Sequence, residues 1–91
     1  MEDTDILSIL KIDLQGSSEK LDAYLMELIM ASKEYIEKEG IKLNDSVGDG
    51  QLVEMYAAYL YRKRREEGAQ MPRMLRWALN NRLFSAKAGG G

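Results

Sequence analysis

The sequence predicts an all-α fold: a small single domain of about four helices, with a long second helix packed against the third and fourth. Two observations carry this expectation. Apolar residues recur at helical spacing through most of the chain, and no segment shows the convincing two-residue alternation of a half-buried strand. Gly, Ser, Asp and the single Pro punctuate the runs where helices begin and end. At 91 residues there is length for one core only, because the fraction of surface buried falls steeply with size.

The first helix is expected from Thr4 to about Ile12, capped by Asp3 or Thr4, with Ile6, Leu7, Ile9 and Leu10 apolar. Gln15-Gly16-Ser17-Ser18 breaks it. The second runs from about Ser18 to Glu39, a length of about 33 Å at 1.5 Å per residue. Ser17 or Ser18 offers its N-cap oxygen, and Gly40 offers the left-handed residue that ends it. Leu21, Tyr24, Leu25, Leu28, Ile29, Ser32, Tyr35 and Ile36 share its apolar face, and Glu34 with Lys38 adds a favourable pair.

Ile41 to Gly50, with Asn44-Asp45-Ser46 and two glycines, reads as a loop and as the most mobile segment, ending on Asp49 as N-cap. The third helix follows from about Gly50 to Glu67, with Leu52, Val53, Met55, Tyr56, Tyr59 and Leu60 inward, and Gly68 stops it. Pro72 has no N–H to lose in a first turn and starts the fourth, which carries Met74, Leu75, Ala78, Leu79 and Leu83 inward to about Ala86. The helical domain therefore covers residues 1–86, and residues 87–91 form a flexible Gly-rich tail.

Composition excludes several kinds of chemistry. The chain holds no Cys and no His, which removes disulfides, Cys or Ser-His nucleophilic machinery and the usual zinc ligands. No HExxH, GxxxxGK or paired-acid motif is present, and the 41–50 segment lacks the acid spacing of an EF-hand, so no enzyme activity, cofactor or metal is expected. No run of about 18 apolar residues exists, and Met1-Glu2-Asp3-Thr4-Asp5 is acidic where a signal peptide is basic. A soluble, unexported chain with no membrane partner is the expectation. Its small net charge of -2 hides an asymmetry: residues 1–45 carry five lysines against eleven acids, and residues 46–91 carry eight cations against four acids. Such polarity suits self-association, phosphate or an acidic protein.

Candidate interaction residues lie opposite the core stripes. On the second helix Met26 and Met30, with Ala23 beside them, face away from Leu21, Leu28 and Tyr35. On the fourth, Arg73, Trp77, Asn80 and Phe84 form a row at spacings of four, three and four. Either these rows are partner-binding patches, with Trp and Arg in the manner of a hot spot, or they wrap the edge of a small core. Arg82 projects into the apolar face of the fourth helix; snorkelling is the preferred reading, and pairing with a Glu or a carbonyl is the other. The run Arg62-Lys63-Arg64-Arg65 suggests phosphate contact, set against a solvated helix end where cations complement the dipole. Arg73, Arg76 and Asn80 after a Gly-containing turn also imitate a helix-turn-helix, which makes a small DNA-binding regulator using the fourth helix the alternative reading.

Leu10-Lys11-Ile12-Asp13 is followed by Leu25-Met26-Glu27-Leu28-Ile29-Met30-Ala31-Ser32-Lys33-Glu34-Tyr35-Ile36-Glu37. After Gly40 come Ala58-Tyr59-Leu60-Tyr61-Arg62-Lys63-Arg64, then Pro72 with Leu75, Leu79 and Arg82. This order, across about Leu7 to Arg82, resembles the head-tail connector family of tailed double-stranded DNA phages, also described as adaptor or putative DNA-packaging proteins. Ala31-Ser32 stands where that family usually has Ala-Ala. The resemblance implies a structural virion protein made in the bacterial host cytoplasm. About a dozen copies would form a ring under the portal protein, extend the DNA channel and present a docking platform to a downstream head-completion or tail protein. It further implies non-specific contact with double-stranded DNA, for which Arg62, Lys63, Arg64 and Arg65 are the candidates facing channel or portal. Met26 and Met30 on one side, and Arg73, Trp77 and Phe84 on the other, are the candidate subunit or partner interface.

Overall fold

The computed structural model describes residues 1–15 and 18–88. Helix α1 spans Asp3–Asp13, a single 3₁₀ turn Glu19–Leu21 leads into α2 at Asp22–Lys38, α3 spans Val47–Arg65, and α4 spans Arg73–Ala88. There is no strand among the described residues. The all-α reading holds, with α2 about 26 Å long at 1.5 Å per residue because its first turn is tightened into the 3₁₀ segment.

Helix α3 is the centre of the arrangement, in contact with α1, α2 and α4. Helix α2 lies along α3 and meets α4 at its C-terminal end, where Arg76 pairs with Glu39. The core takes Ile6 and Leu10 from α1, Leu25, Leu28, Ile29 and Ile36 from α2, and Leu52, Val53, Tyr56 and Leu60 from α3. Ala57 and Ala58 of α3 and Ser32 of α2 are buried as well. Ser32 satisfies its hydroxyl by donating to the Leu28 carbonyl at 2.7 Å, so the serine fits a position otherwise suited to alanine.

The helix ends follow local chemistry with some corrections to the sequence reading. Gly40, with φ 101°, closes α2 in the left-handed region that favours glycine. Helix α3 instead ends at Arg65 on an extended Glu66, and Gly68, with φ 81°, sits in the turn that follows, where the Ala69 N–H donates to the Glu66 carbonyl. The α1 N-cap is Glu2, with no side-chain cap bond. The proposed Ser17 cap lies outside the described residues, as do positions 89–91 of the expected tail; Lys87 and Ala88 belong to α4. Asp49 is not an N-cap. Ser46 caps α3, its Oγ accepting from the Asp49 N–H at 3.1 Å, and Asp49 sits in the first turn. The expected mobile loop is therefore shorter and better held: Val47–Gly50 is helix, Ile41 is buried, and the Asn44 side chain accepts from Ser46 N–H at 2.8 Å.

Helix α4 is fixed differently from the other three. Only Leu75 and Leu79 are fully buried on it, each worth about 1.5–3 kcal/mol when removed from water. Ala78 and Leu83 are partly buried against the core, and polar contacts supply the rest of its attachment. Arg82 does not snorkel: its Nε donates to Asp49 Oδ1 at 2.7 Å, and its Nη2 donates to Asp49 Oδ2 at 3.1 Å and to the Lys42 carbonyl at 2.9 Å. Asp49 Oδ2 also accepts from the Asn44 N–H at 2.9 Å. Burial acts to raise the Asp49 pKa, but the hydrogen bonds from Arg82 and Asn44 outweigh it and hold the carboxyl below its ordinary value.

The pair is part-buried, with the Asp49 side chain 5% and the Arg82 side chain 23% exposed, so removing one partner costs about 1–3 kcal/mol, less than the loss from a fully buried pair. Asp49→Ala and Arg82→Met should each lower the urea-unfolding free energy by about that amount, and the double variant should lose less than the two single losses combined. Additive losses would show that the pair does not act as a unit. Because the Asp49 pKa is depressed, its stabilisation is present above the ordinary value of 3.8 and fades as pH falls below it, a loss that Asp49→Ala should abolish.

Candidate functional site

Two surfaces carry the residues singled out by the sequence. The first is the outer face of α4. With Leu75 and Leu79 turned inward, Met74, Trp77 and Phe84 are left 67%, 64% and 72% exposed. Arg73 and Asn80 are exposed on the same face, so the Arg73-Trp77-Asn80-Phe84 row lies on one side as its spacing requires. Met74 corrects the sequence reading, which placed it inward; it lies about 100° around the helix from its neighbour Leu75, and that angle was the available signal. No acid occurs anywhere in α4. Arg76 is committed elsewhere, its Nη1 and Nη2 donating to the two Glu39 carboxylate oxygens at 2.8 and 3.2 Å. That hydrogen-bonded pairing raises the guanidinium pKa further.

On α2 the two methionines part company. Met30 is 59% exposed, whereas Met26 is half-buried and packs against the core, which corrects its assignment to an open patch. The exposed stripe opposite the α2 core is instead Ala23, Glu27, Met30 and Glu34. Tyr35, expected on the core face, is 47% exposed and stacks on Tyr56 with ring centroids 5.9 Å apart.

The second surface is the basic end of α3. Arg62, Lys63, Arg64 and Arg65 are all exposed, and among the described residues none of them forms an ion pair. They point around the helix, and three of the four are braced by tyrosines. Lys63 lies over Tyr59 at 5.8 Å, Arg65 over Tyr61 at 5.2 Å, and Arg64 over Tyr24 at 5.7 Å with a 3.4 Å hydrogen bond to its hydroxyl. Arg62 and Arg65 share a shallow groove with Asp13, Gln15, Tyr61 and Glu66, so the basic end is edged by acids.

Sequence reasoning missed Glu54, which lies beneath this end. It is 5% exposed on α3, and its Oε2 has no hydrogen-bond partner. Burial, then a hydrogen bond to Asp13 and that residue's negative charge, push its pKa up to about 8, while Arg62 pulls it down. A lone acid at a position flanked by Leu52, Val53, Tyr56 and Ala57 was the signal in the sequence. Among the described residues no group of three or more Asp, Glu, His or Cys is placed to hold a metal ion, and no helix is long and apolar enough to cross a membrane.

No family model, curated protein or solved structure matches the chain.

Because the folded-state pKa of Glu54 is raised, its contribution to stability is fully present below the ordinary value of 4.5 and is lost as pH rises through about 8. Thermal or urea unfolding should show stability declining between pH 5 and pH 8, and Glu54→Gln should flatten that slope. A wild-type profile flat across this range would contradict the buried, protonated state.

Proposed function

We propose that the protein is a structural adaptor of the head-tail connector type, whose subunits assemble into a ring of about a dozen copies beneath a phage portal. In this role it extends the DNA channel and offers a platform to the next head-completion or tail protein. The observation that carries the reading is the outer face of α4, where three large apolar side chains, Met74, Trp77 and Phe84, stand in water on a helix with no acid. A monomer gains nothing from such a face, and contiguous exposed apolar surface marks an interaction site. The order of motifs from Leu7 to Arg82 supplies the family resemblance. The exposed cations Arg62, Lys63, Arg64 and Arg65 suit non-specific phosphate contact in a channel, since none is held by a carboxylate among the described residues.

The regulator reading is less well supported. It needs Arg73, Arg76 and Asn80 together on base edges, and Arg76 is held in a two-bond pairing with Glu39.

Native mass spectrometry over a wide concentration range, with and without duplex DNA and with the portal added, tests the proposal. A discrete species of about a dozen subunits, alone or on the portal, is expected. A sequence-selective, DNA-bound dimer would replace the adaptor with the regulator. For the basic end, Arg62→Glu with Arg65→Glu should leave assembly intact and reduce the slope of log affinity for duplex DNA against log salt by about two. An unchanged slope would remove these residues from the DNA path.

A further inference from the structure

Two exposed stripes share one spacing. On α2, Ala23, Glu27, Met30 and Glu34 are all exposed, and on α4 so are Arg73, Trp77, Asn80 and Phe84. Each set steps by four, three and four residues, spans about 16 Å at 1.5 Å per residue, and follows one helix face. The stripes are opposite in charge: the only charged side chains in the α2 stripe are acids, and the only one in the α4 stripe is a cation.

We infer that α4 of one subunit docks antiparallel onto α2 of a second copy, with Glu34 against Arg73, Met30 against Trp77, Glu27 against Asn80 and Ala23 against Phe84. The antiparallel register matches every position. A carboxylate meets a guanidinium, a thioether meets an indole, a carboxylate meets an amide donor, and the smallest side chain leaves room for a phenyl ring. The parallel register sets Glu27 against Trp77 and Glu34 against Phe84, which leaves both carboxylates without a polar partner and Arg73 opposite Ala23. The equal spacing lets the two ridges interdigitate along their length, as packed helices do. Met74 extends the apolar contact beside Trp77.

The contact joins two different faces and therefore propagates from subunit to subunit, closing into a ring when the rotation allows. It rests on the adaptor reading only for the ring; the pairing of α2 with α4 stands on the stripes themselves. Neither stripe includes a fully buried residue or a member of the Asp49–Arg82 pair, so substitutions there leave the fold in place.

The chain has no cysteine, which makes directed cross-linking clean. Met30→Cys and Trp77→Cys chains, mixed in equal amounts and oxidised, should give the mixed 30–77 disulfide in large excess over either like pair. In parallel, Arg73→Glu and Glu34→Arg should each weaken self-association about tenfold or more, and the two changes combined in one chain should restore it. A dominant 77–77 disulfide, reversals that do not rescue one another, or a wild-type chain that stays monomeric at the highest concentration would each overturn this interface. So would Trp77-dependent binding to anionic vesicles with no self-association. Rings lacking the 30–77 cross-link would overturn the pairing and leave the adaptor reading standing. A closed dimer carrying that cross-link would uphold the pairing and remove the ring.

Discussion

The Asp49 carboxylate organises the edge of the molecule on which its candidate surface is built. It accepts from Arg82 on α4 and from the Asn44 backbone, while its own N–H binds the Ser46 side chain that caps α3. Through Arg82 the same network reaches the Lys42 carbonyl. One side chain thus ties together the start of the central helix, the connection that follows α2, and the far half of α4. With only Leu75 and Leu79 fully buried on α4, apolar packing alone sets its position loosely, and the guanidinium–carboxylate pair supplies direction as well as attraction. The second pair, Arg76 with Glu39, is more exposed and adds a weaker link at the near half. Held at both places, α4 presents its aromatic row as a rigid surface, and a rigid surface loses less conformational entropy when a partner binds.

Much of this was legible in the chain. The helix count, the glycine terminator at Gly40, and the cores of α1 and α2 follow from period and capping chemistry, which act within a few residues. The α4 row was readable for the same reason, since its spacing alone places four side chains on one face. What stayed hidden depends on partners distant in sequence. Arg82 looked like a snorkelling side chain because Asp49 is thirty-three residues away, and Asp49 looked like a cap because Ser46, a better one, was read as loop. Met26 and Met30 lie on the same helix flank, and only the packing around α2 decides that the first is covered and the second is not. Glu54 escaped for a similar reason: burial by α1 turns an ordinary helical glutamate into an acid that keeps its proton.

Under the proposed adaptor reading, the two surfaces would divide the labour. Tyrosines brace Lys63, Arg64 and Arg65 without neutralising them, so their charge stays available to phosphate while their directions remain spread, a disposition that suits backbone contact more than base reading. The α4 face has the opposite character, apolar and aromatic with a cation at its leading end, and suits a specific protein contact. In that reading one subunit would bind its neighbours and face nucleic acid at once, because the two surfaces fall on different helices.

Trp77 is the only tryptophan in the chain and lies in the middle of the α4 row, so its fluorescence reports on that surface alone. Emission measured across a dilution series, alongside the sedimentation coefficient, tests the account most directly. The expected result is a water-exposed spectrum at high dilution that moves to the blue in step with assembly. A spectrum that stays water-exposed while oligomers form would place assembly on another surface, and one already blue in the monomer would mean that α4 does not present this face to solvent.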